Sequence, residues 1–222
     1  MTALGTSYRR RLLDVELARL TADVAGRVLD VGGRRQARGR FRAPAGVEWV
    51  RLNLDPGAGP DVVADAEALP VASGAADWVV CLETLEYVAT PARAVAELGR
   101  VLRPGGHAVV SVPFLHRADA ATDRHRFTET GLRELLQSAG LAVVEIVAQG
   151  RFFTVLANMV LQATAAVGPR PLRWVLAGCT VPLGAVLARL DDVNRVRRSP
   201  LLASFTTGFV ALAVKAAPCR HP

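Results

Sequence analysis

Lysine is almost absent from this chain. Of 27 basic residues in 222, only Lys215 is lysine, so arginine supplies nearly all the positive charge. Its rigid guanidinium fork stays ionised and pairs well with carboxylates and phosphates. Cysteine is also scarce: Cys81, Cys179 and Cys219 lie far apart and include no CxxC pair. Neither a zinc site nor a disulfide framework follows, and a reducing compartment is the default expectation. The opening "MTALGTSYRRRLLDVELARL" lacks an apolar signal core and reads as mature, cytoplasmic sequence. No internal repeat is evident. Between Arg173 and Arg189 the uncharged interval is fifteen residues and holds Pro182. A membrane span needs about 20 apolar residues, so none is expected there.

Acids are scarce at one end only. Residues 1–50 carry ten Arg against five acids, 51–150 eight Arg against thirteen, and 151–222 eight Arg plus Lys215 against two. The partial charges of +5, −5 and +7 make the middle acidic and both ends basic, which suits a cationic ligand in the centre and an anionic partner elsewhere. A solvated arginine bias would give the same totals.

What is present is a full core's worth of apolar sequence, 51% of the chain. Residues 7–24 space Leu12, Leu13, Val15, Leu17, Leu20 and Val24 close to helical periodicity. Short β-branched or apolar runs then follow at Val28–Val31, Trp49–Leu54, Val62–Ala64, Trp78–Leu82, Ala108–Val112 and Leu141–Val147. Several are continuous rather than alternating, as strands buried on both faces should be. Helices are predicted over 91–102, opened by Thr90 and Pro91, and over 129–139. Strands alternating with helices imply crossover units in a mainly parallel α/β sheet. Strand-like sequence returns only at Phe205–Lys215. The division is therefore a core over 1–150 with a lead helix, an apolar helical insertion over 151–204, and a final strand and tail over 205–222.

"RVLDVGGRRQARGR" (Arg27–Arg40) opens like a nucleotide-binding loop but supplies arginine where a phosphate cradle needs glycine. Carboxylates close successive strands: Asp30 the first, Asp55 after Asn53 the second, Asp65 the third, Glu83 and Glu86 the fourth. Ligands of open parallel sheets bind beyond these carboxyl ends. An acidic rim fits a cation without phosphate, such as the sulfonium nucleoside S-adenosylmethionine. Nucleic acid is not expected: Phe41 is the one aromatic among Arg34, Arg35, Arg38, Arg40 and Arg42, which read as a solvated helix face.

"RVLDVGG", "DVVADAEALPVASGAADWVVCLETLEYV", "ELGRVLRPGGHAVVSVPF" and "TDRHRFTETGLRELLQSAGL" together resemble the class I S-adenosylmethionine-dependent methyltransferases of the small-molecule, type 11-like group, over about residues 20–150. The resemblance implies a Rossmann-like, seven-stranded sheet, mainly parallel with an antiparallel last strand. It implies that Asp30, Gly32 and Gly33 line the methionine end of the cofactor. Asn53 or Asp55 would hold the ribose, Asp65 and the Ala66 backbone would read the adenine edge, and Cys81, Leu82 and Glu83 would pass under the sulfonium. The sequence departs from the pattern at Arg34, where a second loop glycine is usual, at Asn53, usually acidic, and at Tyr87, usually histidine.

The implied activity is O- or N-methylation of a small acceptor, apolar or glycosylated. The alternative is a non-catalytic S-adenosylmethionine-binding or interaction protein of the same fold. His116, Asp123 and His125, in the loop after the fifth strand, are the candidate catalytic residues, with Asp123 and Arg126 also able to pair and order that loop. The insertion has three readings: a cap on the acceptor pocket, a homodimer interface, or a peripheral membrane contact through 152–198.

Overall fold

The structure, a computed structural model, describes residues 7–36, 41–118 and 121–217. Arg38, Arg40, Cys219 and His221 lie outside the described residues. Strands β1 (Arg27–Val31), β2 (Glu48–Asn53), β3 (Val62–Val63), β4 (Ala76–Leu82), β5 (Leu102–Pro113), β6 (Leu141–Ala148) and β7 (Gly208–Lys215) form one sheet in the order β3-β2-β1-β4-β5-β7-β6. β7 runs antiparallel to both β5 and β6, and the other pairings are parallel. The strand order reverses between β1 and β4, which places a ligand-binding crevice at their carboxyl ends.

Strand parity divides the core in two. Leu29, Val31, Val79, Cys81, Val110 and Ala211 face one side, covered by α2 (Pro91–Val101) and α3 (Glu129–Ser138). Pro91 occupies the first turn of α2, where its missing N–H costs nothing, and Ala94, Val95 and Leu98 turn to the sheet. The Thr128 hydroxyl caps α3 by accepting from the Gly131 amide at 3.1 Å. Val28, Val80, Val109 and Val210 face the other side, where α1 (Tyr8–Leu20) lays down Leu13, Leu17 and Leu20 at helical spacing.

The insertion is a hairpin of α4 (Phe152–Ala166) and α5 (Arg170–Leu190), followed by single turns α6 (Asn194–Arg197) and α7 (Pro200–Ala203). Asp191, 3% exposed, closes the hairpin: its carboxylate accepts from the amides of Arg151, Phe153 and Thr154 at 2.8, 3.1 and 2.9 Å. A residue beyond the end of α5 thus caps the start of α4, where negative charge meets the helix dipole.

Two expectations are revised. Arg34 and Arg35 do not lie on a helix face: among the described residues no helix joins β1 to β2, Pro44 and Gly46 interrupt the path, and the Arg35 amide bonds the Ala58 carbonyl at 3.0 Å. Residues Arg170–Leu190 continue as one helix through Pro182 and reach 21 residues, long and apolar enough by length and composition to cross a bilayer. One side of α5 is nevertheless tied to the domain, packed on α4 and on Tyr8 of α1.

Candidate active site

A cleft of about 360 Å³ opens at the β1–β4 switch, on the α1 side of the sheet. Asp30, Gly32 and Gly33 form its floor with Leu82 and Glu83, while Leu13, Leu17, Phe41 and Trp49 give it apolar walls. Asp30 is the register partner of Val80, so its side chain turns to the α1 face. Burial pushes its carboxyl up to about 6, against the pull of the Trp49 indole, whose Nε1 donates to Oδ2 at 3.1 Å.

The glycine pair is sterically required. Gly32 adopts φ +81°, and a Cβ there would lie 2.0 Å from the Thr84 hydroxyl; at Gly33 it would lie 2.5 Å from the Asp30 carboxyl. Asn53 secures the same turn, donating through its amide to the carbonyls of Gly32 and Gly33 at 2.9 and 3.0 Å. Its Oδ1 accepts from the Asp55 amide at 2.9 Å.

Glu83 is the one non-glycine at positive φ (52°) among the described residues, a conformation costing roughly 1–2 kcal/mol. The strand end fixes it there: its amide donates to Ser111 carbonyl at 3.0 Å and Ser111 Oγ donates to its Oε1 at 3.0 Å. Arg9 of α1 completes the clamp by ion-pairing with Glu83. Burial draws the Arg9 guanidinium down to about 10.

Glu86 is the exceptional carboxylate. It lines the cleft at 2% exposure, its Oε2 has no hydrogen-bond partner, and burial raises its carboxyl to about 7. Its backbone amide and the Arg9 guanidinium oppose that shift, while Asp123 adds to it.

The predicted residues separate into two groups. Asp30, Gly32, Gly33, Leu82, Glu83, His116 and Asp123 meet at the cleft. Asn53, Asp55, Asp65, Ala66, Cys81 and His125 do not line it. Asp55 caps the short 3-10 turn at Pro56–Ala58 through the Gly57 amide and lies 3.7 Å from Arg34. Asp65 closes its own turn by accepting from the Glu67 amide at 2.9 Å, and the neighbouring Ala66 is packed in the α2–α3 core. Cys81 pairs in register with Val31 and faces that same core, where burial raises its thiol well above its ordinary range.

Of the catalytic candidates, Asp123 is held bidentately by Arg126, with Oδ2 at 2.7 Å from Nη2, so the pair orders the loop. His125 Nε2 lies 3.1 Å from the Val88 carbonyl, an acceptor that requires the proton on that nitrogen. His116 Nδ1 lies 3.4 Å from the Gln162 amide nitrogen, which can only donate to it.

Arg9, Arg10 and Trp49 are among the lining residues that sequence reasoning missed. Arg9 had a signal: Arg9, Leu13 and Leu17 recur every four residues, so Arg9 extends the buried stripe of α1.

A seven-stranded sheet in this order, with a half-buried acid and a glycine turn at its switch point, is the architecture of the Rossmann-like methyltransferase fold. Residues 16–110 match the family model of a methyltransferase domain. The chain is 35% identical over 122 residues to a methyltransferase of Mycobacterium ulcerans described as uncharacterized, covering 49% of this chain and 48% of that one. It is 34% identical over 148 residues to the malonyl-[acyl-carrier protein] O-methyltransferase of Enterobacter lignolyticus, covering 59% of each. The chain thus spans about half the length of these curated relatives. In fold it is similar to the geranyl diphosphate C-methyltransferase of Streptomyces coelicolor, solved with Mg2+, geranyl diphosphate and S-adenosylhomocysteine. That match has a TM-score of 0.58 at 15% identity and covers 93% of this chain and 82% of that one.

Proposed function

We propose that this protein transfers a methyl group from S-adenosylmethionine to oxygen or nitrogen of a small acceptor, apolar or glycosylated. One observation carries the reading: a half-buried, partly desolvated carboxylate, Asp30, stands against a glycine turn at the switch point of a methyltransferase-like sheet. The lining suits this ligand. Asp30, Glu83, Glu86 and Asp123 set four carboxylates against the three guanidinium groups of Arg9, Arg10 and Arg34. Carboxylates match an ammonium and a sulfonium, an arginine matches the amino-acid carboxylate, and the turn shows no run of glycines for a pyrophosphate. Asp55 and Asp65, at the ends of β2 and β3, retain the roles toward ribose and adenine that the family resemblance implies.

When bound, the cofactor supplies an electrophilic methyl group on a sulfonium. The chain's residues position, exclude water and manage a proton. Leu13, Leu17, Phe41 and Trp49 keep water from the reacting centre and favour an apolar acceptor. Glu86 is better suited than His116, Asp123 or His125 to take the acceptor's proton, because its Oε2 is unbonded and its carboxyl titrates near neutrality. An acyl-carrier-protein substrate and a prenyl diphosphate, named for two of the similar proteins, are in keeping with an apolar acceptor.

Incubation with methyl-labelled S-adenosylmethionine and fractionated cell extract tests the reading. Label is expected in the organic-soluble small-molecule fraction, reduced at least tenfold by Glu86→Gln. Binding of S-adenosylhomocysteine without transfer to any fraction would instead support the non-catalytic alternative.

A further inference from the structure

We propose that the outer face of α5 is a docking surface for an anionic lipid bilayer, the helix lying in the plane of the interface. On the 3.6-residue period, Leu172, Trp174, Val175, Val181, Leu183 and Val186 fall within an arc of about 200°, and all are exposed. Trp174 is 58% exposed and Val175 68%. The opposite arc holds Ala177 and Gly184, the buried residues of the helix, and a Cβ on Gly184 would come 3.1 Å from the Tyr8 ring. α5 is therefore fastened to the domain on one side and presents a continuous apolar strip on the other, a combination that soluble surfaces rarely keep uncovered.

Charge decides what covers it. Arg170 stands exposed at the start of α5, and Arg189, Arg195, Arg197 and Arg198 at and beyond its end. Of the two acids in this segment, Asp191 is buried in the cap of α4. An apolar strip with arginines at both ends and an aromatic near one of them matches an acyl region bordered by anionic headgroups. A second copy of the chain matches poorly: in either orientation a two-fold contact through α5 sets arginine opposite arginine. The strip does not serve as the wall of the active-site cleft, since no residue of 151–204 lines it. The side of the domain that carries α1 is the side that would approach the membrane, through the packing of α1 on α4.

Flotation of the whole chain with phosphatidylcholine vesicles, with and without an equal share of phosphatidylglycerol, tests this. The protein is expected to float with anionic vesicles at least tenfold more than with neutral ones, and to be released by 0.5 M salt, on the order of the loss that screening produces. Val175→Glu with Leu183→Glu should abolish flotation, and Arg195→Gln with Arg197→Gln and Arg198→Gln should weaken it about tenfold or more while the thermal midpoint stays unchanged. Sedimentation of the wild type in the unbound fraction would overturn the proposal. So would a stable dimer that Val175→Glu dissociates, because the strip would then be covered by a second copy.

Discussion

Helix α2 buries Ala94, Val95, Leu98, Gly99 and Val101 within 11 residues, whereas α5, at 21 residues, buries only Ala177 and Gly184. Both are built mainly from apolar side chains. α2 fills the space between sheet and solvent with one stripe, and the rest of its surface carries Arg93, Glu97 and Arg100. α5 has no such polar complement along its outer arc. Apolar content alone therefore says little about where a helix sits; the distribution of charge around it says more.

The largest effect that sharpens this contrast is expected in α2. Leu98→Ala, at a fully buried site, should cost about 2–5 kcal/mol in chemical denaturation, because the cavity opens in a closed core. Asp191→Ala should cost less, about 2 kcal/mol, since three amide donors at the start of α4 lose a charged acceptor. Its signature is local: hydrogen exchange should rise in α4 and α5 and stay unchanged in α2 and α3.

The two carboxyls raised by burial give a pH effect of intermediate size. With Asp30 at about 6 and Glu86 at about 7 in the folded chain, the folded state holds protons that the unfolded state releases near pH 4. Their stabilising contribution is complete below about pH 4 and is lost as pH rises through 6 and 7. Wild-type thermal stability should fall between pH 5 and 8, and the double variant Asp30→Asn, Glu86→Gln should show a flatter profile. The smallest effect belongs to the outer arc of α5. Val186→Ser, 54% exposed, should change stability by less than about 0.5 kcal/mol.

Most of the fold was legible because its strands are continuous β-branched runs and its helices carry ordinary caps. Ser7, Thr128 and Pro91 mark helix starts in the sequence as they do in space. The site was legible only in part. Strand parity, had it been applied from Asp30 through the β1–β4 register, turns Cys81 away from the cleft, since Val31 and Cys81 share the opposite face. The bond from Trp49 to Asp30 and the clamp of Arg9 on Glu83 join residues from separate elements, and no spacing rule announces them. Asn53 is the instructive departure. Where an acid is usual, an amide instead ties down the glycine turn, a task that requires donors and that a carboxylate cannot perform.

Calorimetric titration with S-adenosylhomocysteine probes the cleft most directly, comparing the wild type with Asp30→Asn, which keeps side-chain size and removes the charge. One molecule bound per chain is expected, with affinity lowered at least tenfold in Asp30→Asn, on the order of a lost charge-assisted hydrogen bond. Equal affinity in the two proteins, or no binding by the wild type, would contradict the assignment of this carboxylate rim to a sulfonium nucleoside.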